Sequence, residues 1–136
     1  MQILPSLLHD FNVIHQTGNS SVTGDFEKCK LVKDKLPEDL SKRYFVKDYV
    51  YEDEIGTVFD RASIIIARSG ANTCYELMAL NKYSILIPIP TTSQNEQLLN
   101  ARALEEIGLS YVIEQKDLTP EHLNKAIFDV VRHKEM

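Results

Sequence analysis

A chain of 136 residues, 43% of them hydrophobic, is the size of one domain with one real core and leaves little room for two. Its 20 acidic residues outnumber 15 basic ones, and a net charge of -5 is opposite to what sequence-independent binding of a phosphate backbone needs, so nucleic acid is set aside as a partner. Cys29 and Cys74 form no C-x-x-C and have no histidine at zinc-ligand spacing, so reduced, buried thiols in a cytosolic chain are expected rather than a metal site or a disulfide.

Residues 1–11 carry Ile3, Leu4, Leu7 and Leu8 but no basic leader or small-residue cleavage site, and do not read as a signal peptide. No apolar run approaches the roughly 18 residues of a spanning helix, so any membrane contact is expected to be peripheral or supplied from elsewhere. Residues 12–15 read as a strand ending in the turn Gln16-Thr17-Gly18-Asn19, and residues 44–50 as a second strand. A helix follows, with Glu52, Asp53 and Glu54 in its first turn and Ile55, Val58, Phe59 and Ala62 at the spacing of one buried face. Residues 63–67, with three consecutive isoleucines, predict a strand buried on both faces. Residues 84–89 and 109–113 complete the strands. Between them Leu98, Ala101, Leu104 and Ile107 form a helical stripe that Gly108 stops. In the last helix Thr119 caps, Pro120 takes the first position, Leu118 staples to Leu123, and Leu123, Ala126, Ile127 and Val130 face the sheet.

No repeat or linker interrupts this alternation, which predicts an α/β fold, a Rossmann-like doubly wound parallel sheet with right-handed crossovers. Ligands of such sheets bind beyond the carboxyl ends of the strands. The segments that follow strands are therefore the places to look for chemistry.

Arg68-Ser69-Gly70-Ala71-Asn72-Thr73-Cys74-Tyr75-Glu76 runs from the isoleucine strand into a helix expected to present Leu77, Met78 and Leu80. A helix start offers free N–H groups and a positive dipole end, Gly70 permits close approach, and Ser69 and Thr73 add hydroxyls, a combination suited to a phosphate. The same residues also read as a Thr73-x-x-Glu76 capping box after a tight turn at Gly70, and the residues alone leave both readings open. The loop Pro88-Ile89-Pro90-Thr91-Thr92-Ser93-Gln94-Asn95-Glu96-Gln97 is rich in amides and hydroxyls, which both donate and accept and so suit a neutral polyol; its alternative is a simple Asx-type cap. His15 reads as a strand-end histidine rather than a catalyst.

Three motifs in order, Arg68-Ser69-Gly70-Ala71-x-Thr73-x-x-Glu76, then Ile87-Pro88-x-Pro90, then Asn95-Glu96-Gln97-x-x-Asn100-Ala101, resemble the C-terminal domain of the MurG-type N-acetylglucosaminyltransferases. Val13-Ile14-His15-Gln16-Thr17-Gly18 is similar to the strand ahead of that core, and the likeness runs through essentially the whole chain. It implies residues 1–136 as a single, partial C-terminal domain of a two-domain GT-B glycosyltransferase, binding UDP-N-acetylglucosamine as substrate without metal or other cofactor. By position, Arg68, Ser69 and Gly70 belong to the donor loop, Ala71, Asn72 and Thr73 face the diphosphate or sugar, and Glu76 bonds the ribose. Asn95, Glu96 and Gln97 meet the N-acetylglucosamine, Val50 falls near the uracil, and Gly18 lies at the cleft.

The chemistry so implied is inverting transfer to a lipid-linked muramoyl-pentapeptide in peptidoglycan synthesis, at the inner face of the cell membrane. No catalytic residue is assigned to this chain; the base belongs to an N-terminal acceptor-binding domain or partner subunit. Asn72, Tyr75 and the Asn81-Lys82-Tyr83 turn depart from the family pattern, and Glu96 places an acid where histidine or glutamine is usual, which bears on sugar specificity. The family's first strand and Gly-Gly-Ser loop have no counterpart here, so unpaired strand edges, weak stability, and self-association or a supplied partner are expected. Two other readings are a noncatalytic nucleotide-sugar-binding or assembly subunit of a two-polypeptide transferase and a UDP-sugar epimerase fragment.

Overall fold

A computed structural model describes residues 4–17, 24–48, 52–90 and 95–135. The chain divides into two compact units, Met1–Ile55 and Gly56–Met136. Every strand pairing in both is parallel, as the alternation of strands and helices predicted. The strands fall into two sheets, Val13–Gln16 with Tyr44–Lys47 (β1 and β2) in the first unit and Ile65–Ala67, Ser84–Leu86 and Ser110–Val112 (β3, β4 and β5) in the second. Among the described residues β1 pairs with β2, and β4 lies between β3 and β5.

The first unit contains α1 (Leu4–Asp10), β1 (Val13–Gln16), α2 (Asp25–Lys35), α3 (Glu38–Ser41) and β2 (Tyr44–Lys47). Leu4, Leu8, Leu40 and Tyr44 form its core, with Val13, Val32, Leu36 and Val46 packed around them. Helix α2 has no legible sequence signal: seven of its eleven residues are charged and only Cys29 is buried. It is held instead by tertiary contacts, because the Lys33 ammonium donates to the backbone carbonyls of Tyr44, at 2.6 Å, and Ser41. Under it the Tyr44 hydroxyl and His15 Nδ1 share a 2.9 Å hydrogen bond, and Cys29 Sγ lies 3.7 Å from the same nitrogen. Burial lowers the pKa of His15 from its ordinary 6.5, partly opposed by the Asp25 carboxylate, and raises that of Tyr44. Strand β2 ends at Lys47, short of the expected 44–50, and Val50 lies outside the described residues.

Helix α4 (Glu52–Arg61) leads to β3 (Ile65–Ala67), α5 (Ala71–Ala79), β4 (Ser84–Leu86), α6 (Glu96–Glu106), β5 (Ser110–Val112), a 3-10 turn (Gln115–Asp117) and α7 (Pro120–Glu135). β4 is central and wholly buried; Ile65, Cys74, Leu77, Leu86, Ala101 and Leu104 form the core, with Phe59 and Ala62 packed against it. The isoleucine strand is not buried on both faces: Ile65 is buried while Ile66 is 41% exposed, because β3 is an edge strand and its side chains alternate. Ile107 likewise leaves the α6 stripe and is exposed, since it lies one residue past the helix, where Gly108 turns the chain with φ +81°. On α5 only Leu77 of the three expected apolar residues is buried; Met78 and Leu80 are exposed, and Cys74, one turn before Leu77, completes the buried face. The last helix follows its sequence closely. Thr119 Oγ1 accepts from the His122 N–H at 3.0 Å, Pro120 opens the helix, and Ala126, Ile127 and Val130 are buried.

Candidate functional site

Parallel pairing sends β3, β4 and β5 in one direction, so the loops after all three leave from the same end of their sheet. At the first loop α5 begins at Ala71 with Gly70 as its N-cap. Thr73 is therefore inside the helix, no side chain caps it, and the capping-box alternative does not form. Cys74 N–H is bonded to the Gly70 carbonyl at 3.0 Å, which leaves the Ala71, Asn72 and Thr73 amides as the orphan donors of the first turn.

Gly70 also has no internal reason to be glycine. Its φ of -64° suits any residue, which removes the tight-turn reading, and a Cβ built there would meet nothing within 4 Å. Space is open where that Cβ would stand. Ala71 and Asn72 are exposed and Thr73 is half-buried. The side chain of Glu76, half-buried one turn further on, makes no hydrogen bond or ion pair with any described residue.

The neighbouring residues face inward. Ser69 is completely buried, and its hydroxyl donates to the Gln97 carbonyl at 2.6 Å instead of pointing at the open space. Gln97 Oε1 accepts from the Ser69 N–H at 3.3 Å and the Ile89 N–H at 2.9 Å, and Asn100 Nδ2 donates to the Ser69 carbonyl at 3.0 Å. Arg68 Nη1 donates to the Ile87 carbonyl at 3.1 Å. The loops after β3 and β4 are thus tied together by side chains that all belong to the motifs singled out from sequence. Asn100 and the Ile89 amide were not counted as site groups. Asn100 lies three residues after Gln97 on one helix, a spacing that places both on one face and was available as a signal.

At the start of α6, Asn95 adopts a left-handed conformation with φ 56° and no side-chain cap bond, so the Asx-type cap does not form there, and Asn95 and Glu96 are both exposed. Beside them Pro88, Ile89, Pro90, Leu98, Glu114 and Lys116 line a hollow of about 120 Å³. Its rim is fixed by Arg102 Nη2 bonded to Glu114 at 3.3 Å. Gly18, Val50 and residues 91–94 lie outside the described residues. Among the described residues no group of three or more His, Cys, Asp or Glu is placed to hold a metal, and no helix is long and apolar enough to cross a membrane.

Residues 3–136 match the family described as "Glycosyltransferase family 28 C-terminal domain". The chain belongs to that family. As a family 28 C-terminal domain it is 35% identical over 136 residues to the UDP-N-acetylglucosamine--N-acetylmuramyl-(pentapeptide) pyrophosphoryl-undecaprenol N-acetylglucosamine transferase of Clostridium perfringens (strain SM101 / Type A), covering 98% of this chain and 34% of that one. The protein of the same name from Lachnoclostridium phytofermentans is 38% identical over 126 residues, covering 92% and 32%. This family 28 domain spans about a third of the length of these relatives. Its fold matches the crystal structure of Acinetobacter baumannii MurG with TM-score 0.74 at 23% identity, over 95% of this chain and 36% of that one. A second match, the glycotransferase of kitacinnamycin, has TM-score 0.58 at 17% identity, over 87% and 34%. The MurG-like, parallel α/β architecture of the GT-B C-terminal domain is therefore that of this chain.

Proposed function

We propose that this family 28 domain is the donor-binding half of an inverting N-acetylglucosaminyltransferase, holding UDP-N-acetylglucosamine while a separate acceptor-binding domain or subunit presents a lipid-linked muramoyl-pentapeptide. The observation that carries the reading is the start of α5: three orphan amides, an uncapped positive dipole end and open space where a Cβ on Gly70 would stand. Two phosphates of a nucleotide sugar match those donors in charge and in hydrogen-bonding type. In this reading the amides of Ala71, Asn72 and Thr73 take the diphosphate, and the unengaged carboxylate of Glu76 takes the ribose hydroxyls. Asn95, Glu96 and the free amide of Gln97 meet the sugar, while Arg68 and Ser69 shape the loop from within. Gly18 and Val50 keep the cleft and uracil roles that the resemblance implies.

Transfer proceeds by attack of the acceptor hydroxyl on the anomeric carbon, with inversion, as the bond to the diphosphate breaks. The leaving diphosphate gains negative charge at the helix end, where fixed N–H dipoles stabilise it without reorganising. The base that takes the acceptor proton comes from the other half. The assembled enzyme works in peptidoglycan synthesis at the inner face of the cell membrane, with peripheral attachment provided by the acceptor side; the isolated domain binds donor, self-associates or recruits its partner, and does not turn over.

A melting series with UDP, UDP-N-acetylglucosamine, UDP-glucose and NAD tests the reading. Ligand at a hundred times its dissociation constant should stabilise the folded chain by about 2.7 kcal/mol, with UDP-N-acetylglucosamine giving the largest shift. A response to NAD but not to UDP refutes it. Glu76→Ala should erase most of the UDP response while moving the unliganded stability by less than about 0.5 kcal/mol, because no capping box is lost.

A further inference from the structure

Two backbone N–H groups, from Ser69 and Ile89, converge on one atom of the Gln97 side chain. Only the carbonyl oxygen accepts from both, so the chemistry itself fixes which way the amide points. That oxygen ties the loop before α5 to the loop after β4. The Ser69 hydroxyl bonded to the Gln97 carbonyl and the Asn100 amide bonded to the Ser69 carbonyl close the same connection from the α6 side. Ser69 is completely buried and immediately precedes the N-cap glycine, so its position sets where the α5 amides stand.

We infer that Gln97 is a positioning residue: its side-chain oxygen braces the nucleotide loop against the sugar loop, holding the α5 amides in place for the diphosphate. This rests on the nucleotide-sugar reading of the site and deepens it. With the oxygen occupied, the group left for a ligand is the Nε2 amide, a donor only, so Gln97 addresses an acceptor oxygen and acts on the diphosphate through Ser69. The brace and a plain sugar contact differ in one respect. Loss of the brace weakens UDP and UDP-N-acetylglucosamine alike, whereas loss of a sugar contact weakens only the second.

The test measures two quantities on the 136-residue chain: amide hydrogen exchange at Ser69 and Ile89 without ligand, and dissociation constants for UDP and UDP-N-acetylglucosamine by calorimetry. Gln97→Met keeps the length of the side chain and removes the acceptor. It should speed exchange at both amides and weaken both ligands about tenfold, as loss of two hydrogen bonds implies. Gln97→Glu keeps an acceptor oxygen and should recover most of the protection and most of the UDP affinity. Asn100→Ala removes one strut and should move both quantities the same way by less, which keeps the test decisive if Gln97→Met fails to fold. Unchanged exchange in Gln97→Met, or in Asn100→Ala where Gln97→Met does not fold, overturns the brace; so does a loss confined to UDP-N-acetylglucosamine. If wild type binds no UDP, the nucleotide reading fails, and exchange at Ser69 and Ile89 still decides the brace.

Discussion

Two helix starts in the same unit are built in opposite ways. α7 closes itself, with the Thr119 hydroxyl bonded to the His122 N–H and Pro120 in the position where a missing N–H costs nothing. α5 begins on a glycine with no side-chain cap, although Ser69 is adjacent and spends its hydroxyl on Gln97. A hydroxyl one residue from an uncapped helix start, committed to a different bond, leaves that start available for something outside the chain. The comparison sets a helix end capped by its own side chain against one left uncapped, the end proposed to take the diphosphate.

Exchanging their properties tests that separation, and the largest effect is expected at α5. Gly70→Asp meets no steric obstacle and adds both an N-cap acceptor and a negative charge at the positive dipole end. It should stabilise the unliganded chain by about 0.5 kcal/mol and abolish the UDP-dependent melting shift. A variant that is more stable and still binds UDP would break the comparison. At α7, Thr119→Ala should cost about 1 kcal/mol in denaturant unfolding and leave the UDP dissociation constant within about twofold of wild type. A large change in affinity would mean that the two ends are not independent.

The smallest effect lies in the first unit, where the polar group is turned inward. Burial lowers the folded pKa of His15 below its unfolded value of 6.5, so the unfolded chain binds the proton more readily. The stabilisation it allows is present above that value and is lost as pH falls through it towards the lower folded pKa. Unfolding measured from about pH 7.5 to about pH 5.5 should show a falling stability whose slope is reduced in His15→Gln. An unchanged slope would place the titration elsewhere.

Local grammar reached some of this molecule and not the rest. Thr119-Pro120 and Gly108 announce a start and a stop because each acts on its own backbone, and both are found where the residues put them. The three site motifs were legible as loops after strands for the same reason. What a side chain faces is a different matter. Three isoleucines in a row say nothing of which strand will lie at the edge, so the exposure of Ile66 could not be read. Neither could the burial of Ser69, whose hydroxyl was expected to face a phosphate and instead meets a carbonyl 28 residues away in sequence. Helix α2 escaped because its stability comes from contacts with β2 and not from its own periodicity.

Each compact unit carries one shielded free thiol, Cys29 in the first and Cys74 in the second, the latter also made less acidic by burial. The pair serves as two built-in reporters. An alkylating reagent reacts with a thiolate only once the chain around it opens, so counting adducts at the two positions by mass spectrometry times the opening of each unit separately and without an introduced probe. Nucleotide added during that measurement should slow the Cys74 clock, since that thiol sits in the first turn of the helix assigned to the diphosphate.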